Sequence, residues 1–549
     1  MKKLQTQSGF TIIIFMALLL MLTLAGINAV MTSTTEVDIA GNSMNTSNTF
    51  YAAESGLEKA AAELETYYRT NGTAPDPLPT DSFNVNEYDG APIGVSYNTV
   101  HINGPYQKHL VKGAYSGLYA LVNEYEVTSA AATENSHTKT ELKMMVESDL
   151  VPIFQFAVFY DPVLEIAPGP AMTLGGRVHS NGDLYIQAGN SLTVNSHLTA
   201  AGNIFHGRSP QSGRSTDYGD VFIMDNSGNP VAMEQSGNWI DANDADWVDQ
   251  SLALWGGRVE DSDHGITPLN LPVVQSGEPI DMIKRATETA DSYEHSATLK
   301  IVDGQAIYVN PDSSETNITS DLVSAGVIST GSFYDGREGK TVETVDIDMS
   351  ALNSSGYWPN NGIIYTSETQ GGGNLKATRL TNGSELHADL TVCSENPVYV
   401  HGDYNTVSKK AACIMTDAMT ILSNDWNDGD GSLSLSDGNR KAAATTVNSS
   451  YMTGNVPSDG GKYSGGFENL PRFLENWSGI EFKWRGSAID LWESEQADGD
   501  WAYGSFYTAP NRNWEFDTDL LDPNNLPPGT PLISIVQKVS WREVVATQD

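Results

Sequence analysis

Apolar residues fill nearly every position from Phe10 to Met31, interrupted by Thr11, Thr23, Gly26 and Asn28. A helix over that run rises roughly 33 Å, enough to cross a bilayer core. Downstream, Phe50, Ala53, Leu57, Ala60, Leu64 and Tyr67 recur at alternating steps of three and four and share one helical face. Val37, Ala40 and Met44 extend a similar stripe upstream. The first helix-stopping signals are Asn71-Gly72 and then Pro75, Pro77 and Pro79. The pattern predicts one helix over 10–70, with 10–31 suited to lipid or to other helices and the remainder to packing on a globular head.

From 80 to 150 the period falls to two. In LYALVNEYEVTSAA (118–131), Tyr119, Leu121, Asn123, Tyr125 and Val127 lie on one strand face, and TKTELKMMVES (138–148) alternates in the same way. This predicts an antiparallel sheet against the helix. A larger module opens at VPIFQFAVFY (151–160). Its segments are five to eight residues long, punctuated by Gly and Asn, and carry pairs such as Leu184 and Ile186 or Leu192 and Val194. Such strands bury a core only by stacking, which favours a parallel β-helix-like solenoid over 151–450, with a sandwich as the alternative. The polar stretch 206–300 reads as long excursions with a short helix near Pro279–Ala290. Six of the 11 Trp fall in 451–549, Trp477, Trp484, Trp492, Trp501, Trp514 and Trp541, which reads as an aromatic-rich C-terminal cap on the open end of the solenoid. The fold class is therefore α+β and mostly β.

Charge and cysteine content narrow the function. Among 549 residues, 69 acidic against 30 basic side chains give a net charge of −39, which argues against direct nucleic-acid binding. The two cysteines, Cys393 and Cys413, permit one disulfide bridge or two buried free thiols.

Lys2 and Lys3 precede the apolar run, hold residues 1–9 on the cytoplasmic side and send the remainder outward. Two processing readings stand: a secretory signal cut after the apolar core, or a leader cut between Gly9 and Phe10 that leaves the apolar helix on the mature chain. The uninterrupted helix beyond the run favours the second.

The SGF junction at 8–10, EVDIAGN at 36–42 and FYAAESGLEKA at 50–60 resemble the type IV pilin superfamily, within it the minor pilins with a PilX-type N-terminus. VHSNGDLYI, YDGREGKTV, VYVHGDYN and AMTILSNDW resemble the large members with a solenoid-like extension. The resemblance implies a prepilin peptidase that cuts after Gly9 and a methylated Phe10. It implies an inner-membrane single-pass stage with the body exported, then packing of the helix against other pilins and minor pilins at the pilus or cell surface. It also implies a displayed module for an adhesin or surface ligand. The fifth mature position, glutamate in major pilins, is Ile14, which fits a rare, priming or tip component and equally a type II secretion minor pseudopilin.

Catalytic motifs are weak. Gly339-Lys340-Thr341 lacks the phosphate-loop glycine, since Tyr334 occupies that position. Asp346 and Asp348 stand two apart at a spacing an inverting glycosidase uses, but on an amphipathic strand they read as its solvent side, so a secreted β-helix carbohydrate-active enzyme is the remaining alternative. His179, His197 and His206 come from neighbouring short strands and read as hydrogen-bonded spacers. No enzyme and no cofactor is expected. The one metal candidate is calcium at NDWNDGDG, through Asp425, Asn427, Asp428 and Asp430.

Overall fold

The computed structural model describes residues 8–71, 73–86, 92–111, 115–133, 139–269, 271, 277–458 and 461–544. A single helix, α1 (Ser8–Asn71), leads the chain. Four antiparallel strands follow, β1 (Thr80–Val85), β2 (Ile93–His109), β3 (Tyr119–Thr133) and β4 (Lys139–Pro152). The strand Leu532–Glu543, from the far end of the chain, completes this sheet as its fifth member on the open side of β4. Alternate residues of the strands turn onto α1, with Val95, Tyr97, Tyr125, Val127, Leu142, Met144 and Val146 buried against Ala53, Leu57, Ala60 and Leu64. Gly56 is required where helix and sheet touch, because a Cβ there would collide with Ser129 and Val95.

Most of the described chain between β4 and that last strand forms one coil of short parallel rungs, with antiparallel pairs such as Asp220–Met224 and Pro230–Ala232 attached to it. The first turns repeat at a twenty-residue step: Val158, Val178 and Leu198 stack on one side, Leu164, Leu184 and Ile204 on the second, Met172 and Leu192 on the third. The first side is buried throughout, whereas Leu184–Ile186, Met172–Leu174 and Ser191–Val194 alternate buried and less buried positions, so the turns share one apolar interior and no turn closes a core alone. This half ends at Val259–Glu260, under the helix α2 (Trp247–Trp255), whose Trp247 and Trp255 are buried over the last turn. Gly256 in the left-handed region donates its N–H to Leu252 and stops α2 there.

The second half starts at the opposite end. Strands Leu299–Val302, Ile363–Ser367, Leu390–Ser394, Ala412–Thr416, Ser450–Thr453 and Ala488–Asp490 stack in parallel and advance toward the first half. The last of them pairs with Val158–Tyr160, so Ala488, Ile489 and Asp490 lie beside Val158, Phe159 and Tyr160. Ten parallel strands thus form one continuous side, in the spatial order of a circular permutation whose seam lies between residues 160 and 490. Antiparallel strands Gln305–Val309 and Glu315–Asn317 finish the far end.

Two sequence expectations change. The helix expected near Pro279–Ala290 is a single 3-10 turn, Pro279–Met282, and the helix of the excursion is α2 instead, where Trp247, Ser251 and Trp255 share a buried face. Residues 451–549 do not cap an open end: Trp477, Trp484, Trp492 and Trp514 are buried in turns at the middle of the coil, and Trp541 is an exposed residue of the head sheet. The rings pack edge to face, Trp484 on Trp514 at 5.6 Å and Trp477 on Phe473 at 5.4 Å.

Candidate functional site

The upper half of α1 is bare. Every large apolar residue from Phe10 to Met31 is exposed, Phe10 at 72% and Met31 at 62%, with Ile14 at 47%. The helix is long and apolar enough to cross a membrane by length and composition. Thr23 donates to the Leu19 carbonyl and Thr34 to that of Val30, so these hydroxyls are satisfied within the helix and do not require water. An apolar surface on all sides has two suitable solvents, lipid and other apolar helices. Of the expected cleavage pair, Phe10 lies within the described helix and the preceding leader residues 1–7 lie outside the described residues.

The lower half packs as a stripe. Ala53, Leu57, Ala60 and Leu64 are buried, while Phe50 and Tyr67 are half-buried at its margins. Ala52, Ala61 and Tyr68 are also buried, because the curved sheet wraps more than one face of the helix. Tyr68 and Tyr125 join their hydroxyls at 2.5 Å in this core, and Phe50 meets Trp541 edge-on at 5.8 Å.

The head grips the coil where the chain passes out and back. Pro152 and Leu532 are register partners, and Ile153 donates its N–H to Pro531 at 3.0 Å. The Gln155 amide holds the Tyr119 backbone at both ends, accepting at 2.8 Å and donating at 2.7 Å, and Arg177 donates to the Ser116 carbonyl at 2.7 Å. The two strands and these side-chain clamps form a short, stiff neck.

Three of the acidic candidates, Asp346, Asp348 and Asp428, have structural partners. Asp346 is buried rather than solvent-facing, and Arg379 holds it in a fork at 2.9 and 2.6 Å. The outer face of its sheet is covered by the 423–440 loop, which adds a second core around Phe333, Tyr399, Leu422 and Trp426. Asp348 accepts from the Ala351 N–H at the start of a short helix. Asp428 of the calcium candidate accepts from Arg379 at 2.6 Å and from Trp426 at 2.9 Å, Asn427 accepts from the Gly429 N–H, and Asp425 is exposed. Asp430 stands half-buried beside Gly431. Among the described residues no group of three or more His, Cys, Asp or Glu gathers for a metal.

Cys393 and Cys413 are buried free thiols on adjacent strands, two residues out of register: Cys413 pairs with Thr391 and Cys393 with Met415. His179 bonds Thr199 and Asn181, whereas His206 stacks on Trp239 at 3.5 Å, so the three histidines do not converge. Gly339-Lys340 closes a hairpin between Ile328–Asp335 and Lys340–Asp348, with Gly339 at φ +63° in the turn.

Sequence reasoning missed two buried glutamates. Burial pushes the Glu475 and Glu468 carboxyls up to about 7 from the ordinary 4.5, against hydrogen bonds from Ser423 and Ala167 and the charges of Arg440 and Arg512. Their folded pKa values lie above the unfolded ones, so the folded chain holds more protons between about pH 4.5 and 7, and stability falls as pH rises through that window. Each amounts to about 3 kcal/mol at most. Urea unfolding of Glu475→Gln is therefore expected to lie closer to wild type at pH 4.5 and to gain stability relative to it at pH 8. An equal difference at both pH values rejects the assignment.

No family model matches the chain, and no curated protein matches it. Among solved structures, the competence-associated pilin ComZ from Thermus thermophilus aligns over 91% of this chain and 98% of its own, at 12% identity and a TM-score of 0.23. At that score the likeness carries no argument, and the functional reading rests on the chain's own residues.

Proposed function

We propose that this protein is a low-abundance, type IV pilin-like structural subunit with a PilX-type N-terminus. It joins, primes or tips a filament and carries a large parallel β-helix-like module outward for adhesion or partner contact. The observation that carries the reading is the division of α1: bare and apolar from Phe10 to Met31, buried against a sheet from Ala52 to Tyr68. Prepilin peptidase removes residues 1–9, and the helix then passes from the inner membrane into contact with the helices of other pilins. The work is done by shape and contact, without catalysis or a required cofactor.

Ile14 supports a non-repeating position. A buried N-terminal amine of a neighbour needs a carboxylate partner that this subunit does not supply there. The same residue supports a type II secretion minor pseudopilin, which the neighbouring genes distinguish. The deciding experiment is the intact mass of native protein from cells, expected to begin at N-methylated Phe10. A mature chain beginning at or beyond Val30 overturns the reading.

A further inference from the structure

Beyond Met31 the helix α1 turns polar, yet four large apolar residues stay exposed before the head begins: Val37, Ile39, Met44 and Tyr51, at 67%, 63%, 58% and 66%. Three of them continue from Val30 at steps of seven, as Val30, Val37, Met44 and Tyr51. Between residues 30 and 51 the helix rises roughly 32 Å, and these four form one narrow stripe along it. The next step of seven is Glu58, which pairs with Lys538 of the head sheet, so the stripe ends where the head begins.

A repeat of seven is the period at which one helix meets another. Two helices wound gently about each other keep such a stripe in contact along its whole length, whereas lipid and sheet faces impose no seven-residue repeat. Three positions after Val30, Val37 and Met44 stand Ser33, Ala40 and Ser47, side chains small enough for a second helix backbone to come close.

The placement of the stripe selects a second copy of this chain as its partner. Ala53, Leu57, Ala60 and Leu64 hold the head, and Tyr51 lies about half a turn around the helix from Ala60, so the stripe points away from the head. Two copies can therefore meet along it with their heads on opposite sides. The run Phe10–Met31, apolar all round, sets copies in a bilayer in the same direction and at the same depth, which brings like residues level. In such a parallel pair Val30 and Val37 are β-branched residues at the central seam position, the choice that favours two strands. Glu36, the acid beside Val37 on the seam, then faces the second copy's Gly41 rather than another acid. A two-fold pair closes on itself and does not propagate, in keeping with Ile14.

We propose that two copies of this chain pair in parallel through Val30, Val37, Met44 and Tyr51, leaving the other faces of the apolar run to lipid or to the helices of other subunits. The alignment rests on the membrane stage of the reading above, while cleavage and filament entry play no part in it. Single-cysteine variants of the full chain are oxidised in the membranes of expressing cells, with wild type, whose Cys393 and Cys413 are buried, as the baseline. Val37→Cys, Met44→Cys and Tyr51→Cys are each expected to form a symmetric disulfide dimer about tenfold or more above Ile39→Cys, which lies off the stripe. Sedimentation equilibrium of the full chain in density-matched phosphocholine micelles is expected to show a dimer whose dissociation constant rises about tenfold or more in the double variant Val37→Glu, Met44→Glu. Both side chains are exposed in the single chain, so the melting of head and coil stays at wild type. Equal linking at Ile39 and Met44, no linking above the baseline, a mixed Val37→Cys with Met44→Cys disulfide exceeding both symmetric ones, or unchanged association of the double variant overturns the pairing. A native chain that begins at or beyond Val30 rejects the filament reading, whereas the same linking pattern in the uncleaved chain sustains the pair.

Discussion

A chain ended at Pro531 is expected to lose its head and keep its coil. The deleted strand pairs with β4 from Leu532 beside Pro152 to Glu543 beside Leu142. Ile533 is fully buried, and Leu532 and Val536 pack against the helix–sheet core. The strand also carries the Gln537 contact to Asp149 at 2.7 Å, the Lys538 pairing with Glu58 and the Trp541 ring on Phe50. Three apolar side chains at about 1.5–3 kcal/mol each, with allowance for partial burial, come to about 5 kcal/mol, comparable with the whole stability of a small domain. Removal also bares the edge of β4, a template for unwanted pairing. Limited proteolysis should then cut within 139–152 while the coil survives, and the head's melting transition should disappear. Superimposable melting curves for truncated and full-length chains refute this.

Arg379→Met is expected to destabilise the coil by about 3–5 kcal/mol, the loss seen when one member of a buried ion pair is removed. Arg379 and Asp346 are 7% and 11% exposed at the side chain, and Arg379 reaches Asp428 as well. Without it, Asp346 keeps only the Thr344 hydroxyl at 2.6 Å. The destabilisation comes from the stranded carboxylate, so the double variant Arg379→Met, Asp346→Asn should recover most of it. Urea unfolding of the two single variants and the double variant decides. A loss below about 1 kcal/mol for Arg379→Met, or no recovery in the double variant, sinks the account.

Where contacts are local, the sequence was legible. The three-and-four spacing from Phe50 to Tyr67 placed the buried stripe of α1, and the alternation in 118–131 and 138–148 placed β3 and β4. Contacts formed at long range left no such trace. LISIVQKVSWRE gives no clean alternation at its start, and its partner lies nearly 400 residues earlier, so nothing local assigns it to the head. The tryptophans around it pointed instead to a cap. Asp346 looked solvent-facing because alternation assumes one wet face, and the 423–440 loop covers that face. The acids of NDWNDGDG had the composition of a calcium loop, but Arg379, 49 residues away, engages one of them. The pairing of Val158–Tyr160 with Ala488–Asp490 had no local signal at all, since those strands meet only in the finished coil.

The permuted order of the turns dictates a timetable for folding of a chain that appears from its N-terminus. Residues 158–260 emerge early, but the edge of Val158–Tyr160 stays open until Ala488–Asp490 arrives, some 330 residues later. Throughout that interval a nascent chain carries an unpaired strand edge beside an apolar interior, the state most exposed to misassociation. The head sheet waits longer still, because its final strand, Leu532–Glu543, follows later in the chain. Folding is thus completed from the C-terminal side, and a chain interrupted before residue 488 leaves both units unclosed.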